Sequence, residues 1–392
     1  MTSFFRALLA QPRFDSLNFA DVGRLTEHEK AAALECMDAA LAAFLSEIQF
    51  RHGFAKKDRE LRDDLWSWSR ENLAAVCVCE DKVLDRLLED AADCVEYFFP
   101  CAHHDTRLQM AMGLAASLSI DDGVTSATSR KRLANFQYEL WCGVPDSERD
   151  EWSKMYTKVI RNFVRYFGAS DARMGTIGAN GWANYVEASS LEESLSKSLP
   201  PHFSLVRPGT DGHGCCPDGF AYFFRILTGL PGPFILGMFK PSKDVQVPLE
   251  YWITSMAPLT TFINLINDLF SLPKELLAGE TCNYMSLQTL ARRQGGHPSA
   301  FPRQGDADTL WTFRDTICEA MDLLRDATGS LDRAFVQFHR VCPDDEKNKW
   351  KTALASQVWT AFRHGYLSWK VNSPRYGLAS LRSSFIDDGG NH

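Results

Sequence analysis

The stretch Asn267-Asp-Leu-Phe-Ser-Leu-Pro-Lys-Glu275 ends a long apolar segment and carries unusually regular polar groups. Asn267, Ser271 and Glu275 are four residues apart, and on a helix each such step advances only about 40°, so they share one narrow stripe. Amide, hydroxyl and carboxylate oxygens are hard ligands of the kind that Mg²⁺ accepts. Lys274 adds a compact cation suited to phosphate. The stripe indicates either a metal and phosphate site or an ordinary solvated helix face.

The composition around this stretch favours a large helical protein. The 392 residues are 45% hydrophobic and include 26 Phe and 10 Trp, which is enough for a large core in one domain or two. Apolar residues recur at three- and four-residue intervals, whereas alternating β-branched runs are almost absent. The pattern predicts an all-α bundle whose long helices are separated by short breaks.

The periodicity predicts the bounds of most helices. Helices are expected over residues 27–48, 59–79, 82–99, 106–122, 130–142, 148–167, 234–239, 309–327, 331–339 and 345–371. Another begins at Phe220 and breaks at 229–233, and Pro248 suits the first residue of the helix that holds the opening stretch. Glycine and proline make 168–218 look irregular, as a linker or a surface insertion, apart from a helix over 182–199. The end of the chain, after Phe385, is polar and is expected to be disordered.

Charge and cysteine content limit the partners and the compartment. The formal net charge is −8, and the basic residues form only short runs such as Arg130-Lys-Arg132, which argues against nucleic acid as a partner. The 11 cysteines are scattered without paired C-x₂-C motifs, which fits reduced thiols in the cytoplasm. The apolar run 4–9 is too short for a signal peptide or a membrane span. We expect a soluble, cytoplasmic protein without a membrane partner.

Asp121 and Asp122 form a second candidate site at the end of an apolar helix. Two adjacent carboxylates are costly to bury unpaired, and they lie at the negative pole of the helix dipole. A divalent cation would relieve both problems. The alternative is an exposed turn leading into Gly123, and taken alone the pair favours that turn.

Two basic positions complete the set. Arg225 is embedded in the apolar run Phe223-Phe-Arg-Ile-Leu227, so it needs an anion, either a structural carboxylate or a ligand phosphate. The predicted break that follows would leave backbone groups unsatisfied, often near a ligand. Arg375-Tyr376 follows an aromatic stripe and offers a guanidinium fork and a hydroxyl to phosphate oxygens. Together, two acidic edges and these cations would hold a diphosphate through Mg²⁺ beside an aromatic cavity.

These motifs resemble those of a known family. The pattern N-D-x-x-S-x-x-K-E resembles the second metal-binding motif of class I terpene synthases and is matched in full by Asn267, Asp268, Ser271, Lys274 and Glu275. The Asp121-Asp122 pair resembles the aspartate-rich motif of that family, Arg225 its diphosphate-sensing arginine, and Arg375-Tyr376 its late Arg-Tyr pair. His364-Gly-Tyr-x-x-Trp369 before Arg375-Tyr376 looks most like the fungal trichodiene synthase group of sesquiterpene cyclases.

The resemblance implies a fold, a domain layout and a reaction. It covers roughly residues 25 to 380 and implies a single-domain, all-α class I terpenoid synthase bundle around a central active-site cavity, often a homodimer. An N-terminal segment (1–24) would precede this domain, 168–218 would be an irregular insertion within it, and a polar tail (381–392) would follow. The implied substrate is farnesyl diphosphate, ionised and cyclised with release of diphosphate.

The resemblance also implies roles for single residues. Three Mg²⁺ ions would be held, one by Asn267, Ser271 and Glu275 and the other two by Asp121. Asp122 would orient nearby basic groups, and Asp268 belongs to the motif in a supporting role. Arg225, Lys274, Arg375 and Tyr376 would bind the diphosphate and, with Asp121, form the catalytic set.

The chain departs from the family pattern at two places. The usual acid three or four residues after the aspartate pair is missing, since Gly123, Val124, Thr125 and Ser126 follow it. Pro273 lies inside the second motif and cannot donate to the carbonyl of Leu269, so a kink is expected. The missing acid keeps open a cyclase-fold enzyme that couples an activated terpenoid to another nucleophile such as an amine. An alternative of a different class is a catalytically dead diphosphate-binding or scaffold protein.

Overall fold

The structure is a computed structural model that describes residues 4–198, 219–302, 309–341, 346–378, 381 and 385. Within these ranges the chain forms α1 Phe4–Leu9, α2 Glu27–Glu47, α3 Arg59–Trp68, α4 Asp81–Phe98, α5 His104–Asp121, α6 Ala127–Arg132, α7 Phe136–Trp141, α8 Glu151–Phe167, α9 Ala172–Ser198, α10 Phe220–Thr228, α11 Pro231–Phe239, α12 Leu249–Ala278, α13 Tyr284–Gln294, α14 Phe313–Val341 and α15 Glu346–Asn372. Short 3₁₀ turns lie at Pro12–Leu17, Val22–Arg24, Leu133–Asn135, Asp146–Glu148 and Pro374–Tyr376, and a π-helical turn lies at Ser69–Leu73.

The all-α fold class predicted from the sequence is confirmed. The described residues contain no β-strand, only the isolated bridges Cys77–Thr125 and Pro298–Leu310. Local sequence signals set several helix starts: Thr26 and Glu29 form a capping box at α2, and the Asp150 side chain caps α8. These side chains satisfy backbone N–H groups that the first turn of a helix leaves free.

Helix α12 is the central element of the bundle. It packs against α14 along much of its length and also contacts α2, α11 and α15. Pro248, the predicted first residue, is its N-cap, so the helix starts one residue later at Leu249, and Gly279 ends it with a φ of 71°. Both Pro258 and Pro273 lie inside the helix, which continues through them. The stretch from Asn267 to Glu275 therefore stays on one helix.

The prediction that 168–218 is irregular is wrong for its first part. Residues Ala172–Ser198 form the long helix α9, and residues 199–218 lie outside the described residues. The glycines of α9 allow close packing against neighbouring helices and do not break the helix. A Cβ at Gly178 would lie 2.3 Å from Phe163, and one at Gly181 would lie 2.5 Å from Pro233.

Other helix bounds also differ from the predictions. Residues 59–79 are helical only to Leu73, and 130–142 is divided by a 3₁₀ turn. The two helices expected over 309–339 are one helix, α14, which starts at Phe313. The break after α10 is shorter than 229–233, because α11 begins at Pro231, where a proline suits the first turn. Of the predicted polar tail after Phe385, nothing lies within the described residues.

Within the described residues, no single helix has both the length and the apolar character needed to cross a membrane, although α10 and α11 together reach both across a 55° bend.

Candidate active site

A cavity of about 660 Å³ lies inside the bundle. It is bounded by α4, α5, α9, α10, α11, α12 and α15 and by the 3₁₀ turn that follows α15. Its apolar surface comes from several helices and is rich in aromatic rings. The residues that form it are Phe98, Leu114, Leu118, Tyr185, Phe224, Phe234, Tyr366 and Trp369. Polar groups from other turns of the same helices also line it. The cavity thus combines apolar and ionic surfaces.

The polar stripe of α12 faces this cavity. Asn267, Ser271 and Glu275 all line it, as their four-residue spacing predicts. Glu275 is only 8% exposed, and its Oε2 atom has no hydrogen-bond partner. Burial, together with the negative charge of Asp268, raises the pKa of Glu275 to about 7. A buried carboxylate oxygen without a partner, beside an amide and a hydroxyl, is a donor set that fits Mg²⁺.

A lysine of another helix, which the motif analysis did not select, contacts this stripe at Asn267. Lys370 of α15 donates from Nζ to Asn267 Oδ1 and, at 2.6 Å, to Tyr376 Oη. Burial lowers the pKa of Lys370 well below its usual range, and the cations Arg225, Lys274 and Arg375 lower it further. One predicted metal ligand and one predicted diphosphate ligand therefore share this lysine.

The aspartate pair lies at the mouth of the cavity and binds Arg375. The guanidinium contacts Asp121, lies 2.8 Å from Asp122 Oδ1 and lies 3.8 Å from Asp90 Oδ2. Burial disfavours its charge, but Asp121 and Asp122 outweigh burial and raise the pKa of Arg375. The Asp121 side chain is 50% exposed, and Gly123 adopts a φ of 72°. The exposed turn that the pair taken alone favoured is therefore confirmed, and the same turn forms the ionic contact with Arg375.

Arg225 is largely buried, with 13% of its side chain exposed, and has a carboxylate partner. Its Nε lies 2.8 Å from Asp268 Oδ1, and its Nη1 donates to Thr228 Oγ1 at 3.0 Å. Burial raises the pKa of Asp268, and the arginine opposes that rise. Both residues also line the cavity, so a ligand anion could share the arginine with Asp268. The structural carboxylate and the ligand phosphate considered for Arg225 can therefore both be its partners.

The predicted break near Arg225 also lines the cavity. Gly229 and Leu230 separate α10 from α11, and Leu230 adopts a φ of 54°, which is uncommon for a residue other than glycine. A Cβ at Gly229 would lie 2.0 Å from Asn264 Oδ1, so only glycine fits there. The turn is thus held tightly against α12.

All ten residues selected from the sequence line the same cavity: Asp121, Asp122, Arg225, Asn267, Asp268, Ser271, Lys274, Glu275, Arg375 and Tyr376. Lys274 Nζ lies 5.9 Å from the centroid of the Tyr376 ring, which brings the second motif beside the Arg-Tyr pair. Their roles as catalytic, metal-binding and diphosphate-binding groups remain predictions.

Sequence reasoning missed five charged groups of this cavity: Arg86, Asp90, Glu192, Glu280 and Lys370. Burial raises the pKa of Glu192 to about 7, with Arg225 opposing the rise. Lys370 interrupts an aromatic stripe four residues after Tyr366, and a charge on an apolar helix face was a usable signal. Asp90 and Glu192 lie on amphipathic helices where acids are common, so the sequence carried no comparable signal for them.

Comparison with known proteins reveals a remote relative. No family model matches the chain. Terpene synthase 29 of Postia placenta is 23% identical over 239 residues, which cover 60% of this chain and 54% of that protein. The chain thus aligns with about half the length of this curated relative.

Solved structures share the fold at low sequence identity. Germacradien-4-ol synthase from Streptomyces citricolor has a TM-score of 0.56 at 13% identity, covering 83% of this chain and 97% of that one. Linalool/nerolidol synthase from Streptomyces clavuligerus has a TM-score of 0.56 at 16% identity, covering 82% and 99%. The same enzyme in complex with 2-fluorogeranyl diphosphate has a TM-score of 0.51 at 16% identity, covering 82% and 97%.

Proposed function

We propose that this chain, which has the all-α fold of the terpene synthases, is a Mg²⁺-dependent sesquiterpene cyclase. It would ionise farnesyl diphosphate and cyclise the carbocation to a cyclic hydrocarbon or alcohol, with release of diphosphate. The observation that carries the proposal is that the predicted metal ligands and the cations line the same cavity, beside an aromatic interior. A structural relative bound to a prenyl diphosphate analogue supports the substrate class.

The metal-binding groups come from two helices that meet at the cavity. Asn267, Ser271 and Glu275 of α12 would hold one Mg²⁺, and Asp121 of α5 would hold the other two, as the family resemblance implies. The ions would supply positive charge that stabilises the departing diphosphate. The unpartnered Glu275 oxygen is the strongest support for a cation at this position.

The protein cations would bind and orient the same anion. Arg225, Lys274, Arg375 and Tyr376 would donate to diphosphate oxygens, so the carbon–oxygen bond breaks without a protein nucleophile. Arg225 is ion-paired with Asp268, and Arg375 is ion-paired with the aspartate pair. These carboxylates hold the guanidinium groups at the cavity wall before substrate arrives.

The aromatic interior would stabilise the cation and exclude water. The rings of Phe98, Phe234, Tyr366 and Trp369 line the cavity, and an aromatic face stabilises a nearby cation by about 0.5–2 kcal/mol. Exclusion of water would prevent early capture of the carbocation. The remaining predictions belong to this proposal: a trichodiene-synthase-like branch, a cytoplasmic location, a possible homodimer, and no nucleic acid or membrane partner.

A product assay tests the proposal directly. The purified protein is incubated with geranyl, farnesyl and geranylgeranyl diphosphates and Mg²⁺, and the organic extracts are analysed by GC–MS. We expect a cyclic fifteen-carbon product from farnesyl diphosphate, and none after the metal is chelated. Failure to form any metal-dependent terpene product would contradict the proposal.

A further inference from the structure

Lys370 is a buried cation for which the expected diphosphate site has no assigned role. It is 1% exposed, and its Nζ lies 4.2 Å from the centroid of the Tyr376 ring and 4.9 Å from that of Trp369. Its polar contacts are Asn267 Oδ1 and Tyr376 Oη. The ammonium therefore lies between a predicted metal ligand and a predicted diphosphate ligand.

Within the described residues, the hydrogen-bond partners of Lys370 are an amide oxygen and a phenol rather than a carboxylate. Asp268, whose charge acts on Lys370, is ion-paired with Arg225, and Asp121 and Asp122 are ion-paired with Arg375. The neighbouring charges of Arg225, Lys274 and Arg375 have the same sign as an ammonium. Because a buried charge is costly without a counter-ion, this point of the cavity favours binding of an anion.

We propose that Lys370 is an additional diphosphate-binding group that also holds the Asn267 amide until diphosphate arrives. This inference rests on the proposed function, because it takes diphosphate as the ligand of the same cavity. When the anion binds, the ammonium turns to its oxygens, and Asn267 Oδ1 becomes free for metal coordination. Diphosphate and the metal at Asn267 therefore bind cooperatively, since each favours the same released state.

The experiment measures binding rather than turnover. Mn²⁺ binding to the full chain is followed by electron paramagnetic resonance with and without inorganic diphosphate, and diphosphate affinity is measured by calorimetry in excess Mg²⁺. In Lys370→Met the side chain keeps its length but loses its charge. We expect diphosphate affinity to fall by about tenfold or more, since hydrogen bonds to charged groups contribute about 1.5–3 kcal/mol. We expect Mn²⁺ binding without diphosphate to become stronger, because Asn267 is no longer occupied.

A second variant separates the two roles of the lysine. Lys370→Gln keeps an N–H donor on the side of Asn267, one bond shorter than the lysine, but removes the charge. We expect diphosphate affinity to fall as it does in Lys370→Met, while Mn²⁺ binding without diphosphate stays close to that of the wild type. This variant also preserves polar contacts in the core, so it remains informative if Lys370→Met does not fold.

Lys240→Met is the matched control. Lys240 is also fully buried, but its Nζ is held outside the cavity by Ser170 and by the carbonyl oxygen of Lys243. This variant should leave both affinities unchanged. Unchanged diphosphate affinity in the Lys370 variants would overturn the proposal, as would unchanged Mn²⁺ binding in Lys370→Met. Because inorganic diphosphate needs no turnover, absence of a terpene product would contradict the proposed function without altering these results.

Discussion

At the residue scale, the Glu275 carboxylate has one oxygen that is buried and unpartnered. Since a metal ion would use that oxygen, Glu275→Gln should weaken Mn²⁺ binding in the presence of diphosphate by at least about tenfold, the lower end of what the loss of an outer-shell partner usually costs. Metal-dependent turnover should fall with it. The fold should survive, because the substitution removes no intramolecular hydrogen bond of Oε2. Calorimetry measures the Mn²⁺ affinity, and circular dichroism measures whether the fold survives.

Glu250→Gln provides the control for this prediction. Glu250 lies in the first turn of the same helix and is exposed, far from the cavity. It should bind Mn²⁺ as the wild type does. If Glu275→Gln retained wild-type metal affinity, Glu275 could not be a metal ligand.

Glu192 leads to a prediction about pH. Burial raises its pKa from 4.5 to about 7, so between these values the folded protein keeps a proton that the unfolded chain loses. Stability therefore falls as pH rises through this window. Glu192→Gln removes that loss, and its free energy of unfolding should exceed that of the wild type by roughly 1–3 kcal/mol at pH 8 but not at pH 4.5.

Urea titrations of the metal-free protein at pH 4.5, 6 and 8 measure this difference. Other raised groups, including Glu275, contribute equally to both proteins and cancel in the comparison. A difference between the two proteins that does not change with pH would contradict the raised pKa of Glu192.

At the scale of elements, α15 packs very closely against the end of α4. A Cβ at Gly365 would lie 1.7 Å from the backbone oxygen of Tyr97 and 2.7 Å from its carbonyl carbon. Since backbone cannot move aside as a flexible side chain can, Gly365→Ala should destabilise the protein by about 3 kcal/mol. It should also weaken diphosphate binding, because α15 carries Lys370 into the cavity. Chemical denaturation and calorimetry give the two quantities.

Gly329→Ala in α14 is the matched substitution. A Cβ there would meet only the end of the flexible Arg333 side chain, at 3.3 Å. We expect a neutral effect or a stabilisation of up to about 1 kcal/mol, since alanine is the better helix former. Equal effects of the two substitutions would contradict close backbone packing at Gly365.

At the scale of the whole molecule, the site joins helices that are distant in sequence. Asp121 and Arg375 are 254 residues apart, and Arg225 and Asp268 are 43 apart. A ligand that bridges these groups should stabilise the bundle as a unit. With Mg²⁺ and diphosphate each at about 100 times its Kd, the stabilisation should be at least about 2.7 kcal/mol, seen as a Tm several degrees higher.

Thermal denaturation with each ligand alone provides the comparison for this prediction. Mg²⁺ without diphosphate should raise the Tm less, because Lys370 holds Asn267. Diphosphate with a chelator should also raise the Tm only slightly. If the two increments simply added, metal and anion would bind independently.

Much of the fold and the candidate site was readable from local sequence. Helical periodicity predicted the bounds of α2, α4 and α5 to within a few residues, and the four-residue spacing placed Asn267, Ser271 and Glu275 on one face of α12. The glycines of α9 misled the prediction, because a glycine that breaks a helix and one that allows close helix packing look alike until the neighbour is known.

The sequence by itself determined the all-α class, the polar stripe of α12 and the set of residue types that points to metal and diphosphate. These depend on backbone geometry over a few residues, which periodicity records. Only the tertiary structure decided that Arg375 pairs with Asp121 and Asp122, and that Asp90, Glu192 and Lys370 share the cavity. Such contacts join side chains far apart along the chain, and helix packing, rather than local spacing, brings them together.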